Sequence, residues 1–152
     1  MPMLYLLCGL PGSGKTTRAK EIERQAAALR LTPDEWISAL FTKLDQGTLD
    51  AYRTPIESLQ WTVASRALAL GVSVVLDWGF WGREERDAMR LQAQALGARV
   101  KIVFLDVPLE ELLRRLTERN ADLPPHTFRV EEAQLRRWWS WFEPPGTDEL
   151  DE

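Results

Sequence analysis

Cysteine is almost missing from these 152 residues: Cys8 is the sole one, so no disulfide can close within the chain and a stapled secreted scaffold is excluded. Long hydrophobic runs are missing too. The longest candidate, residues 67–76, is preceded by Arg66 and broken by Gly71 and Ser73, far from the roughly 18 apolar residues that a membrane span needs. The opening MPMLYLLCGLPG is apolar but has no basic n-region, so it does not read as a signal peptide; the expected setting is reducing and cytoplasmic. Nine glycines and nine prolines without a period exclude collagen-like and low-complexity chains. Neither charge sign dominates: 19 basic residues face 23 acidic ones, a net charge of −4, and residues 148–152 alone hold four acids. The rest is close to neutral, which argues against a basic face gripping a long phosphate backbone.

What is present is the composition of a globular chain, 45% hydrophobic and 28% charged. Its length suits one domain that buries roughly 68–70% of its unfolded surface. Met3 to Cys8 is a short apolar run of the kind a strand buried on both faces shows. Residues 15–29 have helical composition, and residues 28–31 fit a short second strand. Thr32-Pro33-Asp34-Glu35 reads as a helix start, with Thr32 as N-cap and Pro33 at the first helical position. Residues 43–54 read as a connection, and Pro55 as the start of a longer helix ending near Leu70. Residues 72–76 form the third strand, ending at Asp77, and 83–96 an amphipathic helix. The fourth strand spans 99–105, Pro108 opens a helix to Arg119, residues 120–128 are a loop, and 130–142 a last helix. From Glu143 onward the chain reads as a frayed acidic tail. Strands alternating with helices predict an open parallel sheet covered on both faces.

Gly9-Leu10-Pro11-Gly12-Ser13-Gly14-Lys15-Thr16 fits G-x-x-x-x-G-K-[ST] at every fixed position. A chain of this composition matches that pattern by chance about once in 700, and here the match follows an apolar strand and opens a helix. Glycines let successive N–H groups turn inward as an anion nest backed by a helix N-terminus. Lys15 then bridges the β- and γ-phosphates, and the Thr16 hydroxyl ligates Mg²⁺. Thr17 completes the nucleotide-binding stretch. No N-K-x-D guanine-specificity motif occurs, which argues against a switch GTPase.

GLPGSGKTT, TPDEW, VVLDWGFW and LLRRLTERN together resemble the small P-loop kinases described as AAA-family ATPase-like, relatives of chloramphenicol phosphotransferase, zeta toxins and polynucleotide 5′-kinases. The resemblance spans about residues 3–142. It implies an α/β fold: a P-loop NTPase with three α/β/α layers, a short parallel sheet of about four strands and a small helical lid. Residues 1–143 would form one kinase-like domain, with the lid at about 115–129, and residues 144–152 an acidic tail. The implied activity is transfer of the γ-phosphoryl of ATP to a hydroxyl of a small molecule, a metabolite or antibiotic-like compound, with Mg²⁺ as cofactor. A nucleoside or polynucleotide 5′-hydroxyl kinase and an ATP-binding switch without a dedicated acceptor are the other two readings. The expected partner is a small hydroxyl acceptor, with a short oligonucleotide end left open and no membrane; the protein would be a monomer or small homo-oligomer.

The similar kinases place an Asp like Asp34 where it accepts the proton of the substrate hydroxyl, although an acid in a first helical turn is also stabilised there by the helix dipole. Asp77 resembles the acid that holds Mg²⁺ directly or through water; Asp106, at the end of the next strand, competes for that role. Arg115 and Arg119, four apart on one helix face, resemble a lid entry in which the first Arg lies over the adenine and the second reaches the phosphates. Arg114 and Arg129 are the substitutes. Of the seven tryptophans, Trp36, Trp78 and Trp81 flank the expected cleft, while Trp138, Trp139 and Trp141 read as packing residues. His126 reads as solvated, and Cys8 as buried and inert.

Overall fold

The computed structural model describes residues 1–41, 45–123 and 129–150. The element order is β1 (Met3–Cys8), α1 (Lys15–Ala26), β2 (Leu29–Leu31), α2 (Pro33–Leu40), α3 (Gln46–Ala69), β3 (Val74–Gly79), α4 (Arg83–Ala95), β4 (Arg99–Phe104), α5 (Leu109–Ala121), α6 (Glu132–Trp141) and α7 (Thr147–Leu150). The strands make one all-parallel sheet in the order β2-β3-β1-β4. Strand alternation sorts the core. Leu4 and Leu6 of β1, Val74 and Leu76 of β3, and Val100 and Ile102 of β4 meet Ala64, Leu68, Met89 and Ala93 of α3 and α4. Leu7 and Val75 point the other way, onto Ala19 and Ile22 of α1. Burial on both faces explains the continuous apolar runs, and the result is the expected three-layer α/β/α architecture. A further cluster joins Ile37 of α2, Leu49 and Ile56 of α3, Leu112 and Leu116 of α5 and Leu135 of α6 around the loop residue Leu10.

Three local expectations are corrected. The segment read as a connection is helical from Gln46, and Pro55 lies inside α3 instead of opening it. Asp45 caps the helix by accepting from Thr48 N at 2.8 Å, and Leu49 and Ile56, seven apart, bury one face. That packing outweighs the roughly 3 kcal/mol cost of an interior proline. Second, β3 carries on through Asp77 to Gly79. Third, Thr32 occupies the N-cap position of α2, but its side chain makes no capping bond.

The stretch from Glu143 does not fray over its described residues. Glu143 N donates to Trp81 O at 2.8 Å, and α7 places Glu149 against Arg86 of α4, Nε to Oε1 2.7 Å and Nη2 to Oε2 3.3 Å. Arg86 is 1% exposed and Glu149 3%. Burial works against the Glu149 charge, but the Arg86 guanidinium and the Gly146 amide outweigh it and hold the carboxyl below its ordinary range. Sequence reasoning saw only an acidic run; the partner that neutralises it lies 63 residues away. Glu149→Ala strands a buried guanidinium, so a loss of about 3–5 kcal/mol is expected in chemical denaturation. A loss below about 1 kcal/mol would show that this contact does not hold the segment down. The loop expected at 120–128 falls outside the described residues from 124 on, with His126 and most of the lid loop; so do the last two acids, Asp151 and Glu152, and residues 43–44 of the expected connection.

Candidate functional site

The Gly9–Thr16 loop joins β1 to α1. Gly12 and Gly14 have φ of +86° and +94°, the region in which a Cβ is strained. Gly9 is needed for another reason: a Cβ there would sit 2.7 Å from Ser13 Oγ. The base of the loop is tied to the end of β3 and the turn that follows it, with Gly9 N donating to Gly79 O at 3.0 Å and Trp81 Nε1 donating to Gly9 O at 3.3 Å. The loop opens onto a cavity of about 750 Å³ lined by Lys15, Thr16, Thr17, Asp34, Asp77, Arg115 and Arg119. Lys15, Asp34, Asp77, Arg115 and Arg119, the preferred candidates for catalysis, metal and lid, thus share one cleft. No hydrogen bond or ion pair occupies Lys15 Nζ among the described residues.

Asp77 lies on the same face of β3 as Val75, the face toward α1. Its Oδ2 accepts from Thr16 Oγ1 at 2.7 Å and from Thr32 Oγ1 at 3.1 Å. Thr32 accepts in turn from Arg30 Nη1 at 2.7 Å, which is why its hydroxyl leaves the cap. Asp77 is 5% exposed, and its Oδ1 has no hydrogen-bond partner among the described residues. A buried, unpaired carboxylate oxygen beside the Thr16 hydroxyl is a fitting ligand pair for a hard divalent cation. Among the described residues no trio of His, Cys, Asp or Glu could hold a metal unaided, so a cation here would need phosphate oxygens as well. Asp106 follows β4 and lines a separate cavity with Ser13, Leu112 and Trp139, away from Thr16.

Asp34, in the first turn of α2, is bound by Arg53 of α3, Nη2 to Oδ1 2.6 Å. Arg53 Nη1 also reaches Glu57 at 3.7 Å. Arg53, Glu57 and Glu85 line the cavity, and sequence reasoning named none of them. The available signal was Asp45 and Thr48 as a helix start, which puts Arg53 and Glu57 one turn apart on α3. Burial raises the Glu57 carboxyl to about 7, with Arg53 opposing and Glu85 and Asp34 adding to the rise. A carboxyl raised on folding binds more protons in the native state, so Glu57 takes stability away as pH rises from about 4.5 to about 7. Glu57→Gln is therefore expected to raise the thermal midpoint by roughly 2–6 °C at pH 8 and little at pH 4.5. Equal midpoints at pH 8 would show that this carboxylate ionises freely.

In α5, Arg115 donates to Gly12 O at 3.1 Å and to Glu111 at 3.0 Å, which seats it on the phosphate loop. Arg119 is half-buried; burial works against its charge and Asp34 favours it, and its Nε has no partner among the described residues. Neither substitute lines the cleft: Arg114 is paired to Glu111 and Glu118, and exposed Arg129 to Glu131. The tryptophans are redistributed. Trp138 and Trp141 line the cleft beside Trp78 and Trp81, Trp81 and Trp138 lying 5.5 Å apart at 45°, whereas Trp36 packs into the core. Cys8 is buried, donates to Phe80 O at 3.2 Å, and burial pushes its thiol up to about 12, so it is not a nucleophile.

A family model described as AAA domain matches residues 4–145. No curated protein matches the chain in sequence. Among solved structures, it is similar to a presumptive kinase from Chloroflexus aurantiacus J-10-fl, with TM-score 0.76 and 18% identity, covering 95% of this chain and 82% of that one. A gluconokinase from Sinorhizobium meliloti 1021 follows at TM-score 0.63 and 20% identity, covering 98% and 79%. Kti12 from Chaetomium thermophilum, in complex with ADP-AlF3, gives 0.59 and 20%, covering 94% and 81%. At these identities the likeness is one of fold.

Proposed function

The chain belongs to the AAA domain family, a P-loop nucleotide-binding family, and from that premise we propose that it is an ATP-dependent phosphotransferase acting on a hydroxyl of a small molecule. One observation carries this: the Thr16–Asp77 pair under the phosphate loop and the Asp34 carboxylate line the same cavity. A nucleotide site and a proton acceptor within one cleft are what phosphoryl transfer to an alcohol requires.

The loop amides from Gly12 to Thr16 and the Lys15 ammonium bind the phosphates. Thr16 and Asp77 would hold Mg²⁺, which supplies neutralisation of phosphate charge. Asp34, oriented by Arg53, accepts the proton of the acceptor hydroxyl as its oxygen bonds to the γ-phosphorus and the bond to the bridging oxygen of ADP breaks. Arg119, which lines the cleft, stabilises charge on the transferring group.

The test is turnover with a panel of hydroxyl compounds and Mg·ATP, following ADP release together with the phosphorylated product by mass spectrometry. Release that rises with one compound, matched by its phosphomonoester, is expected. Release indifferent to every hydroxyl compound, with no phosphorylated product, would overturn the reading in favour of an ATP-binding switch.

A further inference from the structure

We propose that the acceptor is an alcohol that also carries a protonated amine, of the amino-alcohol or amino-sugar class, held by Asp34, Glu57 and Glu85; this rests on the phosphotransferase reading above.

The cavity is a ligand site on independent grounds, because Asp77, 5% exposed, lines it with an unpartnered Oδ1. Its charges are not evenly spread. Lys15, Arg115 and Arg119 belong to the phosphate loop and to α5, where they suit a nucleotide. The wall built by α2, α3 and α4 instead brings together Asp34, Glu57 and Glu85, with Arg53 as the cation among them. Arg53 is already engaged, at 2.6 Å from Asp34 and 3.7 Å from Glu57. Glu85 has no hydrogen bond or ion pair among the described residues. The three carboxylates come from three different helices, and the Arg53 guanidinium pairs with two of them, Asp34 and Glu57.

Like charges brought together on a cleft wall, with Asp34 and Glu57 partly buried and Glu85 exposed, oppose folding unless a cation joins them. Glu57 carries the mark of that conflict: burial, Glu85 and Asp34 raise its carboxyl to about 7 against Arg53. Burial raises Glu85 as well, against Arg86 and Arg53. An ammonium group between them would supply the missing charge and donate short, charge-assisted hydrogen bonds to both carboxylates. Trp78 stands on the same wall, its indole fixed by a 2.9 Å bond from Nε1 to Gln60 Oε1, one turn beyond Glu57. It offers a rigid aromatic surface to a cation or to ring carbons. An acceptor bearing a carboxylate or phosphate would add negative charge beside these carboxylates and beside the phosphates of ATP, so it is selected against.

The test compares matched probes on the full chain with Mg·ATP: glucosamine against glucose and gluconate, ethanolamine against ethylene glycol, kanamycin, and a 5′-hydroxyl dinucleotide. Phosphorylated product is read by mass spectrometry, and binding by the thermal midpoint with a non-hydrolysable ATP analogue. At least one amine probe is expected to raise the midpoint and to be phosphorylated, at least ten-fold above its neutral partner. Glu57→Gln and Glu85→Gln, checked for folding by circular dichroism, should each narrow that ratio by roughly ten-fold. Binding of ethanolamine, whose amine stays protonated over this range, should also strengthen from pH 6 to pH 8 as Glu57 ionises in the presence of Arg53, Arg86, Arg119, Asp34 and Glu85. Transfer to neutral or anionic probes in preference to amines, or an amine preference untouched in both variants, would overturn the inference and leave the phosphotransferase reading standing. No response of the midpoint to any amine would overturn it too. Amine binding without any phosphorylated product would keep the subsite and overturn the phosphotransferase reading.

Discussion

Lys15→Ala is expected to lower ATP turnover by roughly 10³-fold or more, with a thermal midpoint close to wild type. The magnitude follows from what a preorganised cation is worth in a site where phosphate charge shifts during transfer: one such donor contributes about 10²–10³ in rate, and loss of phosphate binding adds to it. The unchanged midpoint follows from the structure. Lys15 opens α1 and lines the cavity, no described residue takes its ammonium as a partner, and alanine is the better helix former. ATP affinity by titration, turnover and thermal midpoint should be measured on the same preparation. Normal ATP affinity together with normal turnover would overturn the assignment of the loop as the nucleotide site. A lowered midpoint would instead give Lys15 a part in the fold.

Asp34→Asn is expected to lower phosphoryl transfer to the acceptor by roughly 10²–10⁴-fold, the usual worth of a positioned general base, with little change in ATP affinity. Its stability effect should be small. Asparagine keeps the shape and much of the preference for a helix start, so the losses are a helix-dipole contribution and a partly exposed ion pair with Arg53, together about 1 kcal/mol. A residue that serves only the helix start predicts the reverse: a comparable stability loss and near-normal transfer. Transfer within a few-fold of wild type would leave Asp34 as an α2 start residue. Glu57 would be the next base to test, since burial holds its carboxyl near neutrality and proton transfer is most effective near the working pH.

The parts of the site that were legible in the sequence share one property: their signals are local. An apolar run, three glycines and Lys15-Thr16 lie within fourteen residues and specify strand, anion nest and helix together. Asp77 was recognisable because a carboxylate near the carboxyl edge of a buried strand is where such sheets bind ligands, but its preference over Asp106 could only be weak. Both flanking strands, β3 and β4, pair with β1, so neighbourhood does not choose between them. Facing does: Asp77 lies within β3 and turns to Thr16, while Asp106 lies past the end of β4. Thr32 misled for a similar reason. Its residue type and spacing fit a cap, and the competing partner, Asp77, is 45 residues away.

Arg53, Glu57 and Glu85 were not legible because each is an ordinary helical residue in its own stretch. Pro55 made the case worse, since a proline reads as a helix start, whereas burial of Leu49 and Ile56 against α2, α5 and α6 carries the helix through it. The same holds for the end of the chain. Asp148 and Glu149 look like a solvated acidic run until α4 presents Arg83 and Arg86 to them.

By itself the sequence determined the phosphate loop, the alternation of strands and helices, and hence a parallel sheet with a nucleotide site at its edge, because backbone preference and burial period are written in neighbouring residues. Tertiary structure decided which carboxylate meets Thr16, which cation holds Asp34, what α2, α3 and α4 bring to the wall of the cleft, and that the acidic end folds back. Those outcomes depend on charges from α2, α3, α4 and α7 meeting across the fold, and the energy of such a pair is set by its burial and geometry, which no stretch of sequence carries alone.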